Sequence, residues 1–167
     1  IEREVKKQSV HTSAAEAARN QYAALCYRYS AKGKLQILLV TSRDTGRWVL
    51  PKGWPMKDSA GGDLSGGECA LVEAHEEAGV VGRLINLSIG FYSYRKMFGP
   101  DEGALCVVAV YPLLVERLLG RFPEQGQRAR KWFTPAEAAG KVAEPELRAL
   151  LTGFDPANFG EPGARNS

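Results

Sequence analysis

The chain has 167 residues, of which 44% are hydrophobic and 25% charged, a size and composition typical of one globular domain. The longest apolar stretch, 104–115, is interrupted by Pro112 and is shorter than the roughly 20 residues needed to cross a bilayer, so no membrane partner is expected. The net charge of +3 is compatible with an anionic ligand but too small to make nucleic acid an expected partner.

Three cysteines, Cys26, Cys69 and Cys106, show no CxxC spacing and are predicted to be small buried side chains rather than disulfide partners. The first ten residues are largely charged and polar and show no secretory apolar segment. The expected location is therefore the cytoplasm. The sequence leaves the oligomeric state open.

The composition along the chain divides it into three parts. Residues 1–20 are predicted to form an N-terminal arm, 21–154 the folded domain, and 155–167 a C-terminal tail that frays because it is rich in Pro and Gly. Inside the domain, apolar and β-branched runs predict strands at 22–29, 35–41, 48–50, 83–96, 105–114 and 131–133, and helical patterns lie at 66–78, 135–141 and 145–151. Helices scattered among more numerous strands favour an α/β sandwich on a mixed sheet.

The glycine-rich segment 58–67 precedes the first of these helices. It lacks the GK[ST] sequence of a phosphate-binding P-loop, so it is interpreted as a flexible insertion. Ser65 and Glu68 then stand at capping-box spacing and Gly79 supplies a left-handed stop, which predicts a helix over 66–78.

Three carboxylates, Glu73, Glu76 and Glu77, share an arc of about 100° on this helix. No Lys or Arg stands three or four residues from any of them, and all three lie toward the helix C-terminus, where the helix dipole disfavours anions. A solvated acidic face is the ordinary explanation of such a pattern. Here the missing basic partners favour a hard divalent cation, which carboxylates hold together with water and substrate phosphates.

The string 73–80, Glu-Ala-His-Glu-Glu-Ala-Gly-Val, together with Gly53 resembles the Nudix box. The motif Trp-Val-Leu-Pro-Lys-Gly at 48–53, with the segments 130–133 and 144–147, is similar to the branch that contains diadenosine-polyphosphate and diphosphoinositol-polyphosphate hydrolases. The resemblance spans nearly the whole of 21–154, and it implies a Nudix-type α/β/α sandwich around a mixed β-sheet.

Three positions depart from the Nudix pattern. Val72 stands where the box has Arg, Leu64 stands where it has its first Glu, and Gly53 lies five residues farther upstream than the pattern allows. The usual Arg can pair with the carboxylate at position 76, one helical turn away, whereas Val72 cannot. These departures leave an alternative open, a degenerate Nudix domain that binds a phosphorylated ligand without hydrolysing it.

The resemblance implies metal-dependent hydrolysis of a phosphoanhydride, in a nucleoside diphosphate linked to another group or in a related nucleotide- or inositol-derived polyphosphate. Water would attack phosphorus with Mg²⁺ or Mn²⁺ bound to the box glutamates. Glu73 and Glu77, one turn apart, are assigned as metal ligands. Glu76 is assigned as the third ligand or as the base that orients water, so that all three are catalytic and metal-binding candidates.

Four residues are candidates for binding the substrate. Lys52 follows the third strand beside the box and is expected to clamp phosphate, Arg95 and Lys96 are further candidates for that clamp, and Trp54 lies in a loop where it can stack on a base. Other nearby cations are interpreted as ordinary surface charge: Arg43, Arg47, Lys57, Arg128, Arg130 and Lys131. A nucleic-acid-binding module is the weaker alternative, supported only by the isoelectric point near 8.8 and the 128–131 cluster.

Overall fold

The computed structural model describes residues 18–163. Within this range, eight strands and three helices follow one another, and a short 3₁₀ turn comes last. Their bounds are β1 Arg19–Tyr29, β2 Leu35–Thr41, β3 Trp48–Val49, β4 Lys52–Gly53, α1 Gly66–Ala78, β5 Val80–Leu84, β6 Gly90–Met97, β7 Gly103–Leu118, β8 Arg130–Phe133, α2 Pro135–Lys141, α3 Pro145–Thr152 and the 3₁₀ turn Pro156–Phe159.

All eight strands belong to one mixed sheet. Its central order is β3-β2-β1-β7-β5, with β4 paired to β1, β6 to β7 and β8 to β2. The central pair β1 and β7 is parallel, from Arg19 opposite Cys106 to Tyr27 opposite Leu114, and the other pairs are antiparallel. The long strand β7 carries β6 along the first half of one edge and β5 along the second half.

The sheet is buried on both faces because helices pack against each of them, and successive strand side chains point alternately into the two cores. On one face, Leu25 and Leu39 belong to a core with Leu147 and Leu151 of α3. On the other face, Cys26 and Leu38 of the strands pack in a core that includes small residues of α1, namely Ala70, Ala74 and Ala78. This explains the nearly continuous apolar runs of β1 and β2 and confirms the predicted α/β/α sandwich around a mixed sheet.

Several predicted boundaries need correction. The predicted strand 83–96 is wrong as a single element, because residues 85–89 connect β5 to β6 without strand geometry. The N–H groups of Ile85 and Ile89 at the two ends of this connection donate to the carbonyls of Pro112 and Val110 in β7. The strand β1 begins at Arg19, inside the predicted arm, whose residues 1–17 lie outside the described part of the chain. None of the helices within 18–163 has the length and apolar character needed to span a bilayer.

The predicted C-terminal tail packs against the domain over its first residues. Asp155 caps the 3₁₀ turn through its carboxylate, Pro156 is buried, and the ring of Phe159 stacks on Phe154 with the centroids 6.1 Å apart. Residues 155–159 of the predicted tail therefore pack against the domain in the structure. Residues 164–167 of that tail lie outside the described range.

The predicted flexible insertion is a closed loop in the structure. Lys57 pairs with Asp63 at 2.6 Å, and the carboxylate of Asp58 accepts hydrogen bonds from the backbone N–H groups of Ala60 and Gly62. The backbone N–H of Leu64 donates to Met56 across the base of the loop. These bonds give the segment a defined shape just before α1 begins.

Candidate active site

The helix α1 has the predicted bounds, carries the site carboxylates and is capped at both ends. Ser65 and Glu68 satisfy each other's backbone N–H groups as a capping box, and Gly79 ends the helix with φ of 66° in the left-handed region. The small residues of α1 that enter the core bring its axis close to the sheet. Glu73 and Glu77, one turn apart, consequently lie between the helix and the strands rather than in open solvent.

Glycine at position 53 allows β4 to approach Glu73 closely. A Cβ added at Gly53 would collide with the carboxylate of Glu73. The paired strands β4 and β1 fix this backbone, with Gly53 opposite Tyr22. The Pro-Lys-Gly sequence at 51–53 therefore gives the Glu73 carboxylate its place against the sheet.

Glu77 is 5% exposed, and its charge is balanced by an arginine from a distant part of the sequence. Nη2 of Arg128 lies 3.6 Å from Oε1 of Glu77, and Nε of Arg128 donates to Oε1 of Glu124 at 3.1 Å. The other branch of the guanidinium donates to the backbone carbonyl of Thr41 at the end of β2. Arg128 therefore ties together α1, β2 and the loop that carries Glu124.

Burial and proximity raise the pKa of both helix carboxyls. The pKa of Glu73 rises to about 8 because its carboxyl is removed from water, shares a hydrogen bond with Glu77 and faces the charges of Glu77 and Glu76. Burial also raises the pKa of Glu77, against the opposing effects of the hydrogen bond from Glu73 and the charges of Arg128 and Lys52. The pair shares a proton near neutral pH, in a place where a bound cation could replace that proton.

Lys52 adds a cation on the sheet side of the same site. Burial lowers its pKa, and the negative charges of Glu77 and Glu144 act in the opposite direction. Its Nζ lies 5.1 Å from the centroid of the Tyr94 ring, whose hydroxyl donates to Gln21. The ammonium is thus fixed near Glu77 by an aromatic face as well as by charge.

These groups line a cleft of about 210 Å³. The lining residues are Gln21, Ser42, Arg43, Asp44, Val49, Lys52, Gly53, Trp54, Glu73, Glu77, Tyr94, Lys96, Glu124 and Arg128. An adjoining cleft of similar volume shares Lys52 and Lys96 with the first and adds Arg47 and Arg95. The first cleft is mainly polar, whereas the second combines these cations with Glu144 and with the apolar side chains of Tyr92 and Met97.

The structure gathers most of the predicted site residues. Glu73, Glu77, Lys52, Lys96 and Trp54 line the first cleft, and Arg95 lines the second. Trp54 is 36% exposed, with its ring available at the first cleft.

Glu76 lines neither cleft. Its backbone carbonyl accepts a hydrogen bond from the N–H of Glu124, and its role as third ligand or base remains a prediction.

Sequence reasoning missed Glu124 and misjudged Arg128. Both come from the loop between β7 and β8, and Arg128, interpreted above as surface charge, has a side chain only 11% exposed. The available signal was the position of these residues just before the predicted strand 130–133. Because that strand pairs with β2, the loop before it returns to the end of β2, where the cleft opens. Arg43, also interpreted as surface charge, lines the cleft 3.7 Å from Glu124.

The donor set fits a hard cation that keeps most of its own water. Within residues 18–163, no three His, Cys, Asp or Glu side chains form a ready-made metal centre. A pair of carboxyls sharing a proton at the wall of a polar cleft suits Mg²⁺ or Mn²⁺, because such ions bind through one or two carboxylates plus water and substrate phosphates. With neighbouring cations from Lys52 and Arg128, the cleft can hold both a metal ion and phosphate oxygens.

Comparison with known proteins places the chain in a family. The family model described as NUDIX domain matches residues 19–152. The chain is 36% identical over 131 residues to "Nudix hydrolase 16, mitochondrial" of Arabidopsis thaliana, covering 75% of this chain and 69% of that protein. It is 32% identical over 132 residues to "Nudix hydrolase 21, chloroplastic" of the same plant, covering 77% of this chain and 62% of that protein.

Solved structures show the same fold at lower identity. A Caenorhabditis elegans Ap4A hydrolase in a binary complex is 19% identical, with a TM-score of 0.55 over 80% of this chain and 93% of its own. The Escherichia coli dihydroneopterin triphosphate pyrophosphohydrolase is 16% identical, with a TM-score of 0.56 over 81% and 93%. At these identities the likeness concerns the fold alone. Taken with the family model and the plant relatives, it shows that the chain belongs to the Nudix hydrolase family.

Proposed function

We propose that this protein is a metal-dependent hydrolase of phosphoanhydride bonds in nucleotide-derived or inositol-derived polyphosphates. The observation that carries the proposal is the carboxyl pair Glu73 and Glu77, which share a hydrogen bond and lie beside Lys52 and Arg128 in one polar cleft. A cation in place of the proton in that hydrogen bond removes the cost of burying two carboxylates. The same cleft offers charge that matches phosphate oxygens.

Glu73 and Glu77 would hold Mg²⁺ or Mn²⁺. When bound, such an ion would neutralise negative charge on the phosphate oxygens and lower the pKa of a water molecule bound to it. Gly53 leaves room for the Glu73 carboxylate against the sheet, and the guanidinium of Arg128 lies beside Glu77 and orients it. These residues thereby fix the two ligand carboxylates before the substrate arrives.

The cations around the cleft bind and orient the polyphosphate. Lys52 lies between the two clefts, where it can meet phosphate oxygens on either side of the scissile bond. Lys96 and Arg95 extend this positive surface into the second cleft, which suits a second phosphate-rich part of the substrate. The relative in the solved structures that is named an Ap4A hydrolase acts on a polyphosphate of this general kind, which is consistent with the proposal.

In the reaction itself, water attacks one phosphorus atom and the anhydride P–O bond to the leaving phosphate breaks. The proton of the attacking water passes to a carboxylate. Apart from the two ligands Glu73 and Glu77, the candidates are Glu76 and the loop carboxylate Glu124. Arg128 and Lys52 stabilise the negative charge that spreads over the phosphoryl oxygens.

The test is a hydrolysis panel in Mg²⁺ and in Mn²⁺ with diadenosine polyphosphates, ADP-ribose, nucleoside triphosphates and diphosphoinositol phosphates. Wild type is compared with Glu77→Gln and with Glu102→Gln, an exposed carboxylate in the hairpin between β6 and β7 that lines neither cleft. We expect turnover of at least one substrate, lost in Glu77→Gln and kept in Glu102→Gln. Tight binding of a panel compound without turnover in either metal would contradict the proposal and favour a degenerate binding domain.

A further inference from the structure

The loop 119–129 forms no helix or strand, yet it delivers two side chains to the cleft. The side chains of Arg128 and Glu124 are 11% and 19% exposed, Leu119 and Phe122 are half-buried, and the other residues of the loop are exposed. With so little packing of its own, the loop depends on a small number of contacts for its position. Glu124 and Arg128 can be held at Glu77 only if those contacts are firm.

One end of the loop is tied to β2. The backbone N–H of Ala129 donates to the hydroxyl of Thr41, and the N–H of Thr41 donates back to the Ala129 carbonyl. The other end is tied to the C-terminus of α1. The N–H of Leu119 donates to the Gly79 carbonyl at 2.8 Å, and the N–H of Glu124 donates to the Glu76 carbonyl at 3.0 Å.

Arg130 stands where this second end meets the helix. Its Nη1 donates to the carbonyl of Ala78, the last residue of α1, at 2.5 Å, and its Nη2 donates to the carbonyl of Leu119 at 2.8 Å. The same guanidinium lies over the ring of Phe122, 4.9 Å from its centroid. The Arg130 side chain thus contacts the C-terminus of α1, the start of the loop at Leu119 and the Phe122 ring within the loop.

Gly79 makes this arrangement possible. A Cβ at that position would lie 2.6 Å from the Phe122 ring and 3.0 Å from Nη1 of Arg130. The guanidinium also places a positive charge at the C-terminus of a helix whose last turn otherwise carries only His75 as a basic residue. The box glycine therefore has a second use here besides ending the helix, since it leaves room for the arginine and the ring.

We propose that Arg130 is a positioning residue: by bridging Ala78 and Leu119 and covering Phe122, it fixes loop 119–129 to α1 and holds Glu124 and Arg128 at the cleft. Its effect on catalysis rests on the proposed function, whereas its effect on the loop does not. Lysine cannot replace it fully, because an ammonium is a point charge and lacks the planar fork that reaches two carbonyls at once.

The first test is hydrogen exchange on the whole chain, comparing wild type with Arg130→Gln, Arg130→Lys and Lys131→Gln. Lys131 is the exposed neighbour whose side chain lies over Phe133, so its substitution is the matched control. In Arg130→Gln we expect exchange of the Leu119 and Glu124 amides to rise about tenfold or more, while the amides between β1 and β7 keep their protection. Unchanged protection of the Glu124 amide would overturn the proposal.

The second test is kinetic and uses a substrate identified by the panel. We expect Arg130→Gln and Arg130→Lys to lower kcat with little change in KM, and the loss in the double variant with Arg128→Met to be smaller than the product of the single losses. Fully multiplicative losses, or normal kcat in an Arg130→Gln protein with a loosened loop, would overturn it. If wild type hydrolyses nothing, the proposed function fails while the exchange experiment still decides whether Arg130 positions the loop.

Discussion

Nη2 of Arg128 lies 3.6 Å from Oε1 of Glu77, and both side chains are nearly removed from solvent. The helix that carries Glu77 has Val72 where the Nudix box has arginine. A guanidinium therefore reaches the box carboxylates from a loop 51 positions beyond Glu77, which keeps a charge pair at the site although the box residue is apolar.

Replacing Arg128 with Met removes one partner of a buried charge pair. We expect the free energy of unfolding at pH 8 to fall by about 3 kcal/mol, because Glu77 is left without its counter-charge. Hydrolysis should fall as well, since Glu77 loses its orientation. The measurement is chemical denaturation of the metal-free protein.

The control for that variant is Arg83→Met. Arg83 forms an exposed pair with Glu116 at 3.5 Å, neither residue lines a cleft, and the loss of Arg83 should cost less than about 1 kcal/mol. Equal destabilisation by the two substitutions would show that the buried position of Arg128 has no special effect.

Gly53→Ala tests the close approach of β4 to Glu73. The added methyl group collides with the carboxylate, the mobile end of a side chain, so the chain should still fold while Glu73 is pushed from its place. We expect weaker Mn²⁺ binding, measured by electron paramagnetic resonance, with a small change in thermal stability. Gly99→Ala is the matched control, because nothing lies within 4 Å of a Cβ at that position. Wild-type Mn²⁺ affinity in Gly53→Ala would refute the role of this glycine.

The stability of the metal-free protein should fall as the pH rises. The folded-state pKa of Glu73 is raised from 4.5 to about 8, so the contribution of this group is complete below pH 4.5 and is lost as the pH rises through 8. Added Mg²⁺ should therefore stabilise the protein more at pH 8.5 than at pH 5.5, as measured by thermal unfolding at both values. In Glu73→Gln this pH dependence should be much flatter; an equally steep profile in that variant would assign it to other groups.

Trp54→Ala distinguishes nucleotide-derived from inositol-derived polyphosphates as substrates. An indole 36% exposed beside the cleft can stack on a base, a contact that contributes about 1–3 kcal/mol. We expect the KM for a diadenosine polyphosphate to rise about tenfold, and the KM for a diphosphoinositol phosphate to change little. Phe91→Ala, which removes an exposed ring that lines neither cleft, should leave both values unchanged. A similar rise for both substrates would assign Trp54 to cleft shape rather than to stacking.

The sequence was sufficient wherever local chemistry decides the structure. The capping pair Ser65 and Glu68 and the stop at Gly79 are short-range signals, and α1 has the bounds they predict. The division of 83–96 into β5 and β6 was missed because both strands pair with the same long β7, which no local pattern reveals. Glu124 was missed, and Arg128 was interpreted as surface charge, for a related reason: they reach the site because β8 pairs with β2 and returns the loop to Thr41.

The central claim is that a cation replaces a proton shared by Glu73 and Glu77. Calorimetric titration of the metal-free protein with Mn²⁺ at pH 7, in buffers of different ionisation enthalpy, measures how many protons leave when the ion binds. The proposal predicts saturable binding with release of about one proton per site, and loss of that release in Glu77→Gln. Binding with no proton release, or the same release in the variant, would contradict it.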